Sequence, residues 1–254
     1  MATIRCGKHS FENISAVVFD KDGTLANVED YLCRLSRERI HQVVAALPSS
    51  TDKLAVDLMS AMGISEAGID PAGLMAIASR SENEIAIAAY VAATGRGWIE
   101  SKAIVKAAFD RAKSNMPTQS AQTSLLPGGR SLVTQLKSAN IKVAIVSADS
   151  HGAVGDFIDR YDLACDIDWY CGCSDATPDV MKDKTAPGVL DYACQSLGSR
   201  PCQTLAIGDS MADFALAQQG AAGFIAMVGG WRVPPTIPGA EIIIHRLSQV
   251  ECFD

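Results

Sequence analysis

The sequence lacks long apolar runs and strongly basic segments. No uninterrupted apolar stretch approaches the roughly 20 residues that a membrane-spanning helix needs. The formal net charge of the 254 residues is −7, and the 22 basic residues form no run of the kind that binding to a phosphate backbone requires. We therefore expect a protein that neither crosses a membrane nor binds nucleic acid.

A secretory signal and a zinc-type cysteine set are also missing. The first residues, MATIRCGKHSFENIS, contain no apolar segment typical of a signal peptide. The eight cysteines are scattered, which is typical of free thiols in a reducing cytoplasm. Cys165, Cys171 and Cys173 lie close together, but no histidine or second close cysteine pair completes a tetrahedral zinc set. We interpret them as ordinary structural thiols in a cytoplasmic protein.

Short apolar, β-branched runs are present instead, and most are followed by Gly, Ser or Asp. They span residues 14–20, 141–149, 203–210, 223–230 and 240–247. Helical patterns lie between or beside the later runs, at residues 128–140, 151–163, 186–198 and 211–220. Strands that alternate with helices at this spacing predict an α/β fold, with a Rossmann-like parallel sheet covered by helices.

Residues 28–122 have a different pattern. They are rich in Ala, Glu, Arg and Met, and apolar residues recur at helical spacing. The strand–helix alternation starts before this stretch and resumes after it, so the stretch is an insertion and not a second domain in tandem. We predict an α/β core domain of residues 1–27 and 123–254, and an inserted all-helical domain of residues 28–122.

Polar side chains cluster where the predicted strands end. They are Asp20 and Asp22 after the first strand, Ser147 and Asp149 after the second, and Asp209, Ser210 and Asp213 after the third. Ligands of open parallel sheets bind beyond the carboxyl ends of the strands. A basic residue, Lys184, lies just before a predicted helix and is added to this set. Clustered carboxylates repel one another unless a cation holds them, and oxygen ligands suit Mg²⁺.

Four of these stretches resemble the four motifs of the haloacid dehalogenase (HAD) superfamily of phosphatases. FDKDGTL (19–25) is similar to the first motif, IVSA (145–148) to the second, KTAP (184–187) to the third and IGDSMAD (207–213) to the fourth. One such motif alone would be a weak indication. All four occur in the family's order, around an insertion at the family's position.

The resemblance implies a role for each acid. Asp20 would be the nucleophile that forms an aspartyl-phosphate, and Asp22 would protonate the leaving alcohol and then activate water. Mg²⁺ would be held by Asp20, the backbone carbonyl of Asp22, and Asp209, and would offset negative charge. Gly23 would allow the sharp turn between the acids and Thr24 would support it.

The other motif residues would bind the phosphoryl group. Ser147 and the amide of Ala148 would donate hydrogen bonds to it, and Lys184 would neutralise charge on it and on the nucleophile. Asp213 would orient Lys184 or a metal-bound water. Lys182 is the alternative to Lys184, but the spacing to the proline of KTAP favours Lys184.

The insertion after the first motif resembles the C1-type cap of this superfamily. Such a cap covers the site and excludes water, which favours a small phosphorylated metabolite as substrate. Arg80 and Arg96, at breaks between helical patterns, are candidates for binding a second anionic group, and are equally well explained as surface residues. The chain most resembles the phosphoglycolate phosphatase-like members. A β-phosphoglucomutase-like phosphotransferase or a non-catalytic binding module are the alternatives, and monomer and homodimer both stay open.

Overall fold

The computed structural model describes residues 2–47, 52–173, 181 and 183–253. The chain divides into two compact units, one formed by Met1–Asn27 with Thr123–Asp254 and the other by Val28–Gln122. None of the described helices combines the length and the apolar character needed to cross a membrane.

The described residues form thirteen strands and ten α-helices. The strands are β1 (Ala2–Cys6), β2 (His9–Ile14), β3 (Ala16–Phe19), β4 (Ala26–Asn27), β5 (Ile64–Ser65), β6 (Gly68–Ile69), β7 (Ser124–Leu125), β8 (Lys142–Ser147), β9 (Trp169–Gly172), β10 (Thr204–Gly208), β11 (Gly223–Met227), β12 (Ile243–Ile244) and β13 (Val250–Phe253). The helices are α1 (Glu29–Ala45), α2 (Asp52–Ala61), α3 (Leu74–Ile77), α4 (Arg80–Ala92), α5 (Trp98–Asn115), α6 (Gln119–Gln122), α7 (Gly129–Ser138), α8 (His151–Arg160), α9 (Val189–Leu197) and α10 (Met211–Ala217).

The first unit is built on a six-stranded parallel sheet in the order β12-β11-β10-β3-β8-β9. Every residue of β3 and β10 is buried, as expected for strands covered on both faces. Val17 of β3 is in register with Leu205 of β10 on one side and with Val143 of β8 on the other. The predicted α/β fold with a parallel sheet is therefore confirmed, and the residues that follow β10, β3 and β8 emerge side by side.

Three parts of this unit differ from the strands that the sequence indicated. The edge strand β9 has the sequence WYCG, whose aromatic, thiol and glycine residues do not look like a β-branched run. The run at 240–247 contributes only the two residues of β12. A separate antiparallel sheet of order β13-β1-β2 joins the first and last strands of the chain.

A short pair of strands joins the two ends of the insertion. β4 and β7 pair antiparallel, with Ala26 opposite Leu125 and Asn27 opposite Ser124. The amide of Leu126 extends the ladder by donating to the Leu25 carbonyl at 2.7 Å. The chain thus leaves the sheet unit and returns to it at adjacent positions.

The second unit is mainly helical. Ser79 and Glu82 form a reciprocal capping box that fixes the start of α4, and Gly95, at φ 96°, lies in the predicted break between α4 and α5. The short hairpin of β5 and β6, which includes Gly68 at φ 126°, departs from the all-helical expectation. Its strands are only two residues long, too short for an alternating pattern to be recognised.

Candidate active site

The two central strands, β3 and β10, present buried acids where they end. Asp20 directly follows β3, and its amide continues the sheet by donating to the Ile207 carbonyl at 2.9 Å. Asp209 directly follows β10. The side chains of Asp20 and Asp209 are 9% and 3% exposed, so their charges are largely shielded from water and depend on protein partners.

Lys184 lies between two of the buried acids. Its ammonium donates to Asp20 Oδ1 at 2.5 Å and forms an ion pair with Asp213 Oδ1, and all three side chains are buried. Burial alone would lower the pKa of Lys184, but the carboxylates of Asp20 and Asp213 outweigh it and raise that pKa above its usual value. The lysine therefore stays charged. Lys182, the alternative, is outside the described residues.

The local structure at the start of α10 holds Asp213. The Ser210 amide donates to Asp213 Oδ2 at 3.0 Å, and the Asp213 amide donates back to Ser210 Oγ at 3.3 Å. Gly208 leaves room for this arrangement, because a Cβ there would lie 2.5 Å from Asp213 Oδ2. With Oδ2 held at the helix start, Oδ1 faces Lys184. This contact corresponds to the first of the two roles predicted for Asp213, which is to orient Lys184.

Both carboxylate oxygens of Asp209 accept a hydrogen bond. Thr24 Oγ1 donates to Oδ1 at 2.8 Å, and Trp231 Nε1 donates to Oδ2 at 2.7 Å. Gly23 must be glycine here, because it has φ 83° and a Cβ would lie 2.5 Å from Asp209 Oδ2. Trp231 was not among the residues indicated by the sequence.

The acids repel one another. Burial raises the pKa of Asp20 to about 6, against the lowering effect of Lys184 and with a further rise from Asp213. Burial and the neighbouring Asp20 and Asp213 likewise hold the pKa of Asp209 well above its usual range. A pair of carboxylates that repel in a buried site is a common basis for catalytic chemistry or cation binding.

The donor set fits a hard divalent cation. Asp20, Asp209 and Asp213 can each offer a carboxylate oxygen, and these oxygens lie within 4.8 Å of one another. In the part of the chain that the structure describes, no other group of three His, Cys, Asp or Glu side chains has such spacing. Oxygen-only ligands suit Mg²⁺ better than softer metals. Asp20 and Asp213 both contact Lys184 through Oδ1, but Asp213 Oδ2 also accepts a hydrogen bond from Ser210, so Asp20 is the better placed of these two as a ligand beside Asp209.

Asp22 forms an ion pair with a buried lysine. Lys21, whose side chain is 1% exposed, donates to Asp22 Oδ1 at 2.5 Å and lies 3.2 Å from Asp149 Oδ2. Burial alone would lower the pKa of Lys21, but Asp22 and Asp149 raise it above its usual value. The lysine between the two acids of the first motif therefore fixes Asp22 and links it to the loop after β8. This link was not predicted from the sequence.

The second-motif residues and the two candidate arginines occupy different units. Ser147 is the buried last residue of β8, its Oγ accepts from the Asp149 amide at 3.2 Å, and Ala148 follows it. In the helical unit, Arg80 pairs with Glu84 and Asp110. Arg96 pairs with Glu100 at 2.6 Å. A substrate anion at either arginine would compete with these carboxylates, and substrate contact by them stays a prediction.

The cysteines form no metal set in the described residues. All eight are free, and Cys171 and Cys173 are buried while Cys165 is exposed. A hydrogen bond with Cys171, and then burial, raise the pKa of the Cys173 thiol. These are the features of structural thiols.

Several solved structures have the same fold. A predicted phosphoglycolate phosphatase from Haemophilus somnus superposes with a TM-score of 0.67 at 16% identity, covering 93% of this chain and 96% of that one. A predicted phosphatase from Clostridium acetobutylicum gives 0.59 at 15%, covering 93% and 95%. A β-phosphoglucomutase from Clostridium difficile gives 0.57 at 16%, covering 93% and 92%. At these identities the likeness shows the fold alone.

The sequence itself identifies the family. No curated protein matches the chain significantly. The family model described as haloacid dehalogenase-like hydrolase matches residues 14–220, which include all four motif stretches and the insertion between the first two. The resemblance found in the motifs is thereby confirmed, and the chain belongs to the haloacid dehalogenase-like hydrolases.

Proposed function

We propose that this hydrolase is a Mg²⁺-dependent phosphatase that acts on a small phosphorylated metabolite through an aspartyl-phosphate. The observation that carries the proposal is the arrangement around Asp20. A buried carboxylate at a strand end contacts the ammonium of Lys184, a second acid lies two residues further on, and Asp209 lies within ligand spacing of it. This set contains the nucleophile, the charge neutraliser and the acid that the reaction requires.

The reaction needs two displacements at phosphorus. In the first, a carboxylate oxygen of Asp20 attacks, the bond between phosphorus and the leaving oxygen breaks, and Asp22 gives that oxygen a proton. In the second, Asp22 takes a proton from water, the water oxygen bonds to phosphorus, and the bond to Asp20 breaks. The products are the alcohol and inorganic phosphate. Asp20 returns as a carboxylate and Asp22 as the protonated acid that began the first step.

Other residues of the site stabilise the charge that moves. Lys184 neutralises the Asp20 carboxylate before attack and the phosphoryl oxygens during it. Ser147 and the amide of Ala148 are proposed to donate to those oxygens. Lys21 keeps Asp22 in a fixed position through the hydrogen bond at 2.5 Å.

The cation would be held by the two strand-end acids. Asp20, Asp209 and the backbone carbonyl of Asp22 are the proposed ligands, with Gly23 and Thr24 shaping the loop around them. When bound, Mg²⁺ would offset the repulsion between an anionic nucleophile and an anionic substrate.

The helical unit is proposed to be a C1-type cap. Its helices follow the first motif directly, and a cover over the site would limit the substrate to a small molecule. Arg80 and Arg96 are the proposed contacts for a second anionic group. The free state of all eight cysteines supports a reducing, cytoplasmic location.

The motif resemblance makes a phosphoglycolate-like compound the first candidate substrate and a β-phosphoglucomutase-like phosphotransferase the second candidate function. Solved structures named for each of these activities share the fold, so experiment must separate the two. A non-catalytic binding module is a minor third candidate, since both acids of the first motif are present.

The test is phosphate release from a panel of small phosphorylated metabolites, including 2-phosphoglycolate, sugar phosphates and phosphoserine, with and without Mg²⁺. We expect Mg²⁺-dependent release of inorganic phosphate, with one compound preferred. Isomerised sugar phosphate without phosphate release would instead identify a phosphotransferase. If no compound yields either inorganic phosphate or an isomerised sugar phosphate, that result would contradict the proposed catalysis.

Binding of Mg²⁺ should stabilise the chain, and less so in acid. The folded-state pKa of Asp20 is about 6, above the ordinary value of about 3.9. Once the pH falls below about 6, the metal must therefore displace a proton from Asp20 in order to bind. Without metal, the stability contribution of Asp20 is greatest at low pH and is lost as the pH rises through about 6.

Thermal melts near pH 8 and near pH 5, at matched ionic strength, measure this effect. Near pH 8 we expect saturating Mg²⁺ to raise the free energy of unfolding by about 2–4 kcal/mol. One pH unit below the Asp20 pKa, the affinity should be about tenfold weaker. An equal stabilisation at both pH values would contradict the assignment of Asp20 as a ligand.

A further inference from the structure

Trp231 lies at the candidate metal site without being part of the four motifs. It follows β11 in the sequence VGGW, and its side chain is 6% exposed. Its indole N–H donates to Asp209 Oδ2 at 2.7 Å. A buried indole needs a hydrogen-bond acceptor, and here the acceptor is a proposed metal ligand.

The turn before Trp231 fixes the indole against the first motif. A Cβ on Gly230 would overlap the carbonyl oxygen of Gly23, and a Cβ on Gly229 would overlap that of His245. Only glycine fits at these positions. Gly230 therefore lets the chain after β11 pack directly on the loop that carries Asp20 and Asp22, and Gly229 lets it pack on the backbone at His245.

The indole and Thr24 together determine how the Asp209 carboxylate is oriented. Each carboxylate oxygen has two lone pairs, and each receives one fixed donor, from Thr24 at 2.8 Å and from Trp231 at 2.7 Å. One lone pair on each oxygen stays available to a cation. The indole is a rigid, uncharged donor with no lone pair to offer, so it orients the ligand without competing as one.

We propose that Trp231 is a positioning residue for the divalent cation: it holds the Asp209 carboxylate in the orientation that Mg²⁺ binding requires. The inference rests on the proposed function, since that function supplies the metal. Hydrogen-bonded partners of metal ligands typically contribute 10–100-fold, roughly, to metal affinity. The proposed role of Trp231 in metal binding does not require any of the substrate-binding residues.

The test measures Mg²⁺ binding by calorimetry without substrate. Trp231→Phe keeps most of the aromatic volume and removes the ring edge that carries the N–H donor, so we expect affinity to fall by about 10–100-fold. Trp169→Phe is the matched control, because Trp169 begins β9 at the amino end of the strand and packs on Tyr192. That variant should bind Mg²⁺ like the unmodified chain. Equal affinity in Trp231→Phe and Trp169→Phe would overturn the inference.

A second measurement does not depend on the folding of Trp231→Phe. In a chain that carries Trp98→Phe and Trp169→Phe, Trp231 is the remaining tryptophan. Its fluorescence should change saturably as Mg²⁺ is added, and Asp209→Asn should abolish the change. Mg²⁺ binding by calorimetry with no fluorescence change would overturn the role of Trp231 while leaving the proposed function intact. No Mg²⁺ binding by the unmodified chain would contradict the proposed metal site, and with it this inference.

Discussion

Replacing Asp20 with asparagine should lower kcat by about 10⁴-fold or more, because the carboxylate oxygen that attacks phosphorus is lost. Asparagine has nearly the same shape, and its neutral amide cannot form the acyl phosphate. Phosphate release from the preferred compound of the panel, measured with saturating Mg²⁺, gives the ratio. Residual activity of several per cent would mean that another group is the nucleophile.

The stability of this variant separates a catalytic loss from a folding defect. The pKa of Asp20 is raised to about 6, so its charge is unfavourable in the folded state near neutral pH. Lys184 retains Asp213 as a partner after the change. We therefore expect Asp20→Asn, without metal, to unfold at a temperature no lower than the unmodified chain. Asp156→Asn, at an exposed acid of α8, is the matched control and should keep full activity.

Replacing Lys184 with methionine should destabilise the chain by about 3–5 kcal/mol near pH 8, the usual effect of leaving buried charges unpaired. The ammonium is the shared partner of Asp20 and Asp213, and Asp209 lies within 4.8 Å of both. Without it, three buried carboxylates face one another. Urea unfolding without metal gives the difference in the free energy of unfolding.

The deficit should shrink as the pH falls. Near pH 5 the carboxylates of the variant take up protons in the folded state, which removes their repulsion, so the cost of losing Lys184 is greatest at high pH. Lys142→Met is the control: Lys142 is half exposed and pairs with Asp168 on the surface, so its loss should cost at most about 1 kcal/mol. A deficit for Lys184→Met that is small, or that does not change with pH, would contradict the charge balance described above.

The sequence was sufficient for the central strands and the residues that follow them. β3, β8 and β10 are unbroken apolar runs that end in Asp or Ser, and strand order then brings Asp20, Ser147 and Asp209 to one edge of the sheet. Lys184 was favoured over its neighbour by its distance from a proline. The structure places its ammonium on Asp20.

The contacts that the sequence did not indicate come from tertiary packing. Trp231 carries no charge, and its place beside Asp209 depends on how closely Gly230 approaches Gly23. Lys21 alternates with two acids, a pattern that fits a solvated turn as well as a buried ion pair. The sequence feature that could have indicated Trp231 is its position just after the predicted strand at 223–230, because residues that follow the parallel strands lie at the edge of the sheet where the site is.

The paired strands β4 and β7 make the chain modular. Because the inserted segment begins and ends on one two-stranded stem, it is equivalent, for the sheet unit, to a loop closed at its base. Inserts of other lengths or folds can occupy that position during evolution without changing the strand order that brings Asp20 and Asp209 together. With the insert acting as the proposed cap, substrate range can change through the insert while the catalytic acids stay on the sheet unit.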